Sequence, residues 1–165
     1  ASLDAEKASQ IYEIRALLEG HAARLCAERA DDALIERLAA INDEIQAAFG
    51  RSDFSGVLAR TSDFYELMFE GSGQFMAWEI VQSLNARINR LRAMTIGSTG
   101  RAAEAAAEMQ LLVSALRRRD AQAAHDASVA HIRRVGDIAA KKLAEMTLAD
   151  APSGDTSSHS IAHAK

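Results

Sequence analysis

The sequence predicts an all-α fold, an antiparallel bundle of six or seven helices, and three observations support this prediction. Proline occurs once and aromatic residues make up only 5% of the 165 residues. Apolar residues recur at helical spacing, whereas few stretches alternate apolar with polar residues as a half-buried strand would. Capping residues and glycines divide the chain into segments of helical length. With 48% hydrophobic and 25% charged residues, the chain is long enough to bury one core.

Capping residues and glycines set the expected helix boundaries. Six helices are predicted, at about residues 4–30, 32–50, 54–71, 74–95, 101–119 and 121–146. Asp120 is the expected N-terminal cap of the sixth helix, and the second and third helices follow the capping pairs Asp31–Asp32 and Ser52–Asp53. Because the connections are short, sequential helices should run antiparallel. Small and polar residues dominate residues 147–165, which are therefore predicted to be a disordered tail beyond a folded domain of residues 1–146.

Charge and composition argue against several classes of function. The formal net charge of −4 gives no general attraction to DNA, since nucleic-acid binding usually rests on clustered positive charge. The basic run Arg117–Arg119 lies at a helix end and predicts a solvated terminus. With one cysteine and no long apolar run, the chain is expected to be cytoplasmic, without disulfides or membrane contact. Phosphate-binding glycine loops, a nucleophile elbow and di-iron motifs are missing, so neither an enzyme nor a bound cofactor is predicted.

Four polar residues fall on helix faces that should point into the core. Arg15 lies within the apolar stripe of the first helix, which is formed by Ile11, Ile14, Leu18, Ala22 and Leu25. Thr61 and Tyr65 share the apolar face of the third helix, and His131 belongs to that of the sixth. One guanidinium, two hydroxyls and an imidazole that converge in one cavity would suit a carboxylate-bearing ligand. The fifth helix is expected to add only an apolar stripe, formed by Ala105, Met109, Leu112 and Leu116.

A purely structural role for these polar residues is the alternative. Arg15 would then pair with a nearby glutamate, Tyr65 would only pack, and His131 would donate to a backbone carbonyl. Single inward polar residues are usually satisfied in this way, so periodicity alone favours the structural role.

Several sequence elements resemble one known family. They are the run Ile11–Glu19 with Ala22–Leu25, the run Phe64–Gln74, the pair Glu108–Met109, and the runs Ala115–Asp120 and Ala130–Ile132. In order and spacing these elements resemble the FCD domain, the effector-binding domain of the FadR subfamily of GntR transcription regulators. The resemblance covers about residues 8–146, and it implies the helical bundle that periodicity predicts independently.

The resemblance also points to a metal site that this sequence does not preserve. Many members of the family hold a divalent metal with one aspartate and three histidines, and these positions correspond to Thr61, Tyr65, Met109 and His131. A single imidazole with two hydroxyls and a thioether is a poor set of ligands for such an ion, so no metal is predicted. The expected site is a remodelled pocket that binds a small organic acid directly. Its candidate residues are Arg15, Thr61, Tyr65, Asn85, Arg87, Met109 and His131.

The family's whole proteins are homodimers that reach DNA through an N-terminal winged helix-turn-helix. This chain begins almost directly at the first bundle helix, so it is expected to be a fragment or a stand-alone domain that lacks that DNA-binding unit. The predicted function is ligand sensing and dimerisation, in which the bound acid shifts the spacing of two DNA-binding heads. The alternative is a structural dimerisation module without effector, whose core is filled by Phe64, Tyr65 and Met109. A cavity of roughly a few hundred Å³ would favour ligand binding.

Overall fold

A computed structural model describes residues 4–152, and within this range the chain forms seven α-helices and no strand. The helices are α1 (Ala5–Arg29), α2 (Asp32–Gly50), α3 (Phe54–Ser72), α4 (Phe75–Ser83), α5 (Asn85–Thr95), α6 (Arg101–Arg117) and α7 (Ala121–Ala149). The predicted all-α bundle is confirmed. None of the helices in the described part of the chain has the length and apolar character needed to cross a membrane.

The helix predicted over residues 74–95 is divided in two, which gives seven helices rather than six. The break lies at Leu84, whose backbone N–H donates to the carbonyl of Val81 in a tighter turn than an α-helix makes. Neither glycine nor proline marks this position, so sequence signals did not reveal it. The break separates α4, which buries only Val81, from α5, which buries Ile88, Leu91, Arg92 and Thr95.

The last helix is longer than expected. It continues to Ala149, three residues past the predicted end at Met146. The remainder of the predicted tail, residues 153–165, lies outside the described residues.

Aspartate caps begin most of the long helices, as the sequence predicted. Each cap accepts a hydrogen bond from the backbone N–H three residues later, at 2.8–3.0 Å. The caps are Asp4 for α1, Asp31 for α2, Asp53 for α3 and Asp120 for α7. A cap of this kind stabilises a helix by about 1 kcal/mol.

The core is built around α1, which packs against α3, α6 and α7. Gly136 permits close approach of α7 to α1, because a Cβ at this position would lie 3.2 Å from Cγ of Tyr12. Phe64, Phe69 and Met68 of α3 are fully buried between the helices. Complete burial of a large apolar side chain contributes about 1.5–3 kcal/mol, so these residues hold α3 firmly against α1.

The basic run at the end of α6 is not simply a solvated helix terminus. Arg119, in the left-handed region at φ 59°, donates to the backbone carbonyls of Ala27 and Ala30 at the end of α1 and to the carboxylate of Asp32. Arg117 forms a two-point ion pair with Glu36 of α2 at 2.8 and 2.9 Å. The run therefore ties the end of α6 to the junction of α1 and α2.

Candidate functional site

A small cavity of about 60 Å³ lies in the centre of the bundle, enclosed by residues from every helix except α4. Five of the seven predicted ligand-binding residues line it, namely Arg15, Thr61, Tyr65, Met109 and His131. The other two, Asn85 and Arg87, are exposed on α5 and do not line it. The topology thus brings the four inward polar residues together, as periodicity predicted.

The volume of the cavity is below the few hundred Å³ that would favour ligand binding on size alone. It is smaller than the roughly 300–1,000 Å³ of ordinary ligand pockets. It still exceeds the about 10–15 Å³ that one water needs by the same measure, so it holds about four to six water-sized atoms. Larger grooves exist on the surface, such as one of about 600 Å³ between α1 and α7, but the central cavity is where buried charged groups converge.

Arg15 pairs with a nearby glutamate, as the structural alternative expected. Its Nε lies 2.8 Å from Oε2 of Glu19, and the two side chains are only 3% and 0% exposed. The buried face of α1 is rotated from the predicted stripe, so Ile14 is 36% exposed while Tyr12 and Glu19 are buried. Burial lowers the pKa of Arg15, but the carboxylate of Glu19 outweighs burial and raises the pKa. The charge of Arg15 is therefore already balanced within α1.

Arg92 is a second buried guanidinium in the cavity, and no carboxylate in the described part of the chain forms an ion pair with it. It is 8% exposed, and it donates hydrogen bonds to neutral acceptors, Oγ of Ser62 at 3.5 Å and Oδ1 of Asn89 at 3.3 Å. Among residues 4–152, no carboxylate lies within 4.0 Å of it. Burial and the neighbouring charge of Arg15 lower the pKa of Arg92 to about 10. The carboxylate of Glu19 acts on Arg92 only from beyond 4.0 Å, and its effect on the pKa is smaller than that of burial.

Arg92 also packs on the aromatic ring that separates the two guanidinium groups from the apolar core. Its Cζ lies 5.1 Å from the centroid of Tyr65, and Cζ of Arg15 lies 5.6 Å from the same centroid. Contacts of this kind favour the cations, but a neutral ring cannot replace a counter-ion. Burial raises the pKa of Tyr65 to about 12, so its hydroxyl stays protonated and can donate into the cavity.

A partly buried ion network lies beside the cavity on α6 and α7. Nδ1 of His131 is 2.7 Å from Oε1 of Glu108, and Arg101 donates to both oxygens of Glu108 at 2.9 and 3.0 Å. Arg101 is only 4% exposed and lies four residues before Ala105. The prediction that this face of the helix carries nothing polar was therefore wrong, and the acceptor for His131 is a carboxylate rather than a backbone carbonyl.

The network fixes the proton of His131. Because a carboxylate oxygen accepts, the close contact with Glu108 places the proton on Nδ1 and leaves Nε2 as an acceptor. Arg101 Nη2 also approaches Nδ1, at 3.4 Å, but the shorter contact with Glu108 decides the tautomer. Burial lowers the pKa of His131 although Glu108 opposes this effect, so the ring is neutral.

The buried charges around the cavity do not balance. The buried cations are the guanidinium groups of Arg15, Arg92 and Arg101, and the carboxylates facing them are those of Glu19 and Glu108. Glu104 also touches Arg101, but it is 42% exposed and pairs with Arg134 at the surface. One surplus positive charge therefore remains, and it belongs to Arg92.

The residues at the family's metal positions do not fit a divalent ion. Among residues 4–152, no group of three histidine, cysteine, aspartate or glutamate side chains is arranged to hold a metal. The Tyr65 hydroxyl stays protonated, Met109 offers only a soft thioether, and Nδ1 of His131 is engaged by Glu108. Zinc-like and nickel-like ions require several imidazole or carboxylate ligands.

We expect acid to destabilise the protein through the network of Glu108 and His131. Burial opposes the charge of Glu108, but hydrogen bonds from His131 and Arg101 lower its pKa from 4.5 to about 2. Because the folded pKa lies below the unfolded value, the stability contributed by Glu108 is complete above pH 4.5 and is lost as pH falls from 4.5 towards 2. The lowered pKa of His131 acts in the same direction once pH falls below 6.5.

Urea unfolding from about pH 7 to about pH 3 measures this loss. The midpoint should fall with pH in the wild-type protein and in Glu66→Gln, a control at an exposed position. Glu108→Gln should have a lower midpoint at neutral pH and a shallower decline below pH 4.5. Equal pH slopes for the wild type and Glu108→Gln would contradict this assignment.

Comparison with known proteins agrees with the fold. A family model described as the FCD domain matches residues 10–134. Among solved structures, a GntR protein of Streptococcus agalactiae is similar, with a TM-score of 0.69 and 23% identity over 82% of this chain and 61% of that chain. The McbR/YncC protein of E. coli is similar, with a TM-score of 0.66 and 18% identity over 87% of this chain and 69% of that chain. The present chain thus spans less than two thirds of the S. agalactiae protein, and no curated protein sequence matches it.

Proposed function

The chain belongs to the FCD domain family, and we propose that it is the effector-binding domain of a GntR-type transcription regulator that binds a small organic acid directly on Arg92. One observation carries this proposal: a buried guanidinium lines the central cavity without a carboxylate partner. An unpaired buried charge costs several kcal/mol, so the site is poised to gain from any anion that fits.

The neighbours of Arg92 supply what a carboxylate requires. A guanidinium matches a carboxylate in two-point geometry and forms the stronger, charge-assisted kind of hydrogen bond. The protonated hydroxyl of Tyr65 and the hydroxyl of Thr61 line the same cavity and are available as further donors. In this arrangement a cation of the protein replaces the metal that other members of the family use. The role is regulatory rather than enzymatic.

The position of Arg92 couples ligand binding to the arrangement of the helices. Arg92 lies on α5, while the groups across the cavity belong to α1, α6 and α7. An anion bound between them would stabilise the arrangement in which α5 is drawn towards those helices. In a dimer, two such arrangements with different ligand affinity would couple binding to the spacing of winged helix-turn-helix units outside this chain.

The small volume of the cavity also fits a second candidate function, dimerisation without an effector. A dimerisation module without effector would also have a nearly filled centre, with Met109 and Tyr65 occupying the space. That alternative leaves the surplus charge of Arg92 unexplained, whereas an anionic ligand explains it. The two functions differ in whether carboxylates stabilise the protein.

Thermal unfolding of the 165-residue chain in the presence of acetate, lactate, malonate or gluconate tests the proposal. Parallel samples contain EDTA, zinc or nickel, and sodium chloride at equal ionic strength is the control. At a ligand concentration of about 100 times Kd, binding adds about 2.7 kcal/mol of stability, which corresponds to several degrees in Tm. We expect such a rise with at least one acid, unchanged by EDTA. No rise with any acid would favour the dimerisation module, and a rise that EDTA abolishes would contradict the metal-free site.

A further inference from the structure

We propose that the ligand of the central cavity is a two- or three-carbon 2-hydroxy monocarboxylate, whose carboxylate pairs with Arg92 and whose hydroxyl donates to Nε2 of His131. This inference rests on the proposed function and specifies its ligand class. Three properties of the cavity lead to it: its volume, its charge and the acceptor on His131.

The volume limits the ligand to a few atoms. A cavity of about 60 Å³ accommodates about four to six water-sized atoms, on the scale by which one water takes about 10–15 Å³. Acetate, glycolate and lactate have about this many non-hydrogen atoms, whereas sugar acids and citrate have about twice as many or more. Packed side chains line this volume, so a larger acid would have to displace some of them or extend beyond it.

The charge limits the ligand to a monoanion. Arg15 and Arg101 are already paired with Glu19 and Glu108, so only Arg92 requires a counter-ion. One carboxylate neutralises this charge and leaves the site balanced. A dicarboxylate of similar size would bring a second negative charge close to the buried carboxylates of Glu19 and Glu108, where no cation is left for it.

The tautomer of His131 determines which substituent the ligand carries next to its carboxylate. Glu108 holds the Nδ1 edge of the ring and does not itself line the cavity, whereas His131 does. The edge that carries Nε2 is thus the part of the ring that faces the cavity, and this nitrogen is an acceptor. A ligand hydroxyl can donate to it, but a 2-oxo group would place a carbonyl lone pair against the imidazole lone pair.

Isothermal titration of the 165-residue chain with lactate, propionate, pyruvate and malonate tests the ligand class at nearly constant size. Lactate is expected to bind about ten- to a hundred-fold more tightly than propionate and pyruvate, because the latter two leave the buried acceptor of His131 unsatisfied. Malonate, the dianion, is expected to bind at least about ten-fold more weakly than lactate. The wild-type series needs no variant and is informative even if variants fold poorly.

A variant separates His131 from the other polar groups. His131→Phe keeps an aromatic ring but removes the acceptor, so lactate should weaken to the affinity of propionate while propionate itself is unchanged. His21→Phe, the same substitution at an exposed position of α1, is the control and should leave the affinities for lactate and propionate unchanged.

The outcomes distinguish this inference from the proposed function. If no acid binds, both fail. If propionate or pyruvate binds as tightly as lactate, or malonate binds more tightly, the proposed function stands and the ligand class is wrong. If lactate is preferred but His131→Phe retains the preference, another residue recognises the hydroxyl and the role of His131 is refuted.

Discussion

Replacement of Glu19 by leucine is expected to lower the free energy of unfolding by about 3–5 kcal/mol, the typical cost when one partner of a buried ion pair is removed. Glu19 is fully buried and its carboxylate meets Nε and Nη2 of Arg15 at 2.8 and 3.2 Å. Without it, Arg15 would be an uncompensated cation close to Arg92, whose charge already lacks a partner. A domain is stable by only about 5–15 kcal/mol in total, so this one change would leave a marginal protein.

Removal of both charges should restore most of the loss. In the double variant Arg15→Met and Glu19→Leu, the cavity keeps the same surplus charge as in the wild type, and similar volumes are retained. Such replacements of a buried pair are often neutral or stabilising. Urea unfolding followed by circular dichroism measures the double-mutant cycle, and Glu13→Leu, at an exposed position of α1, should change stability by about 0.5 kcal/mol or less. A double variant as unstable as Glu19→Leu would mean that the cost arises from packing rather than charge.

Fold class and most helix ends were predictable because they depend on local chemistry. Asp31, Asp53 and Asp120 cap helices in the structure as the sequence predicted, since an aspartate before an apolar-periodic segment has one favourable use. The break at Leu84 could not be found in this way. Its residues are compatible with a continuous helix, and the bend depends on how α4 and α5 pack against other helices.

Several residues that line the cavity could be predicted from the sequence, but the ion pairs around it could not. Thr61, Tyr65, Met109 and His131 line the cavity because each lies on a clear apolar face. Charged residues that pair with one another do not stand out from apolar periodicity, so a nearby glutamate was expected for Arg15 only in the structural alternative and was not identified as Glu19. The spacing of four residues between a basic and an acidic side chain was the signal available in the sequence.

Arg92 escaped prediction for a different reason. It lies on the buried face of α5 with Ile88, Leu91 and Thr95, at the spacing of three, four and seven residues that is typical of one helix face. Asn85 and Arg87, the polar residues predicted on this helix, are exposed. The spacing of four residues from Ile88 to Arg92 was the signal available in the sequence, whereas the position of Arg92 in the cavity is seen only in the tertiary structure.

Replacement of Arg92 by methionine is expected to stabilise the ligand-free protein and at the same time to abolish ligand binding. Burial and the charge of Arg15 lower the pKa of Arg92 from 12.5 to about 10, so the charged form is disfavoured in the folded state. A drop of this size corresponds to a cost on the order of 3 kcal/mol at neutral pH. Methionine fills similar space without a charge, and it should recover about 1–3 kcal/mol of that cost.

The same change should weaken lactate binding by about ten- to a hundred-fold or more, since charge-assisted hydrogen bonds contribute about 1.5–3 kcal/mol. Thermal unfolding of the wild type, Arg92→Met and Arg92→Lys, each with and without lactate, measures both effects. Arg92→Lys keeps the charge without the two-point geometry, so it should retain part of the ligand-induced rise in Tm. If the substitution raises the stability of the protein and lowers its affinity for lactate, Arg92 serves binding rather than folding. Replacement of a residue with a structural role would instead lower the stability of the protein. If Arg92→Met is less stable than the wild type and its response to lactate is unchanged, Arg92 is part of the core and the anion site is refuted.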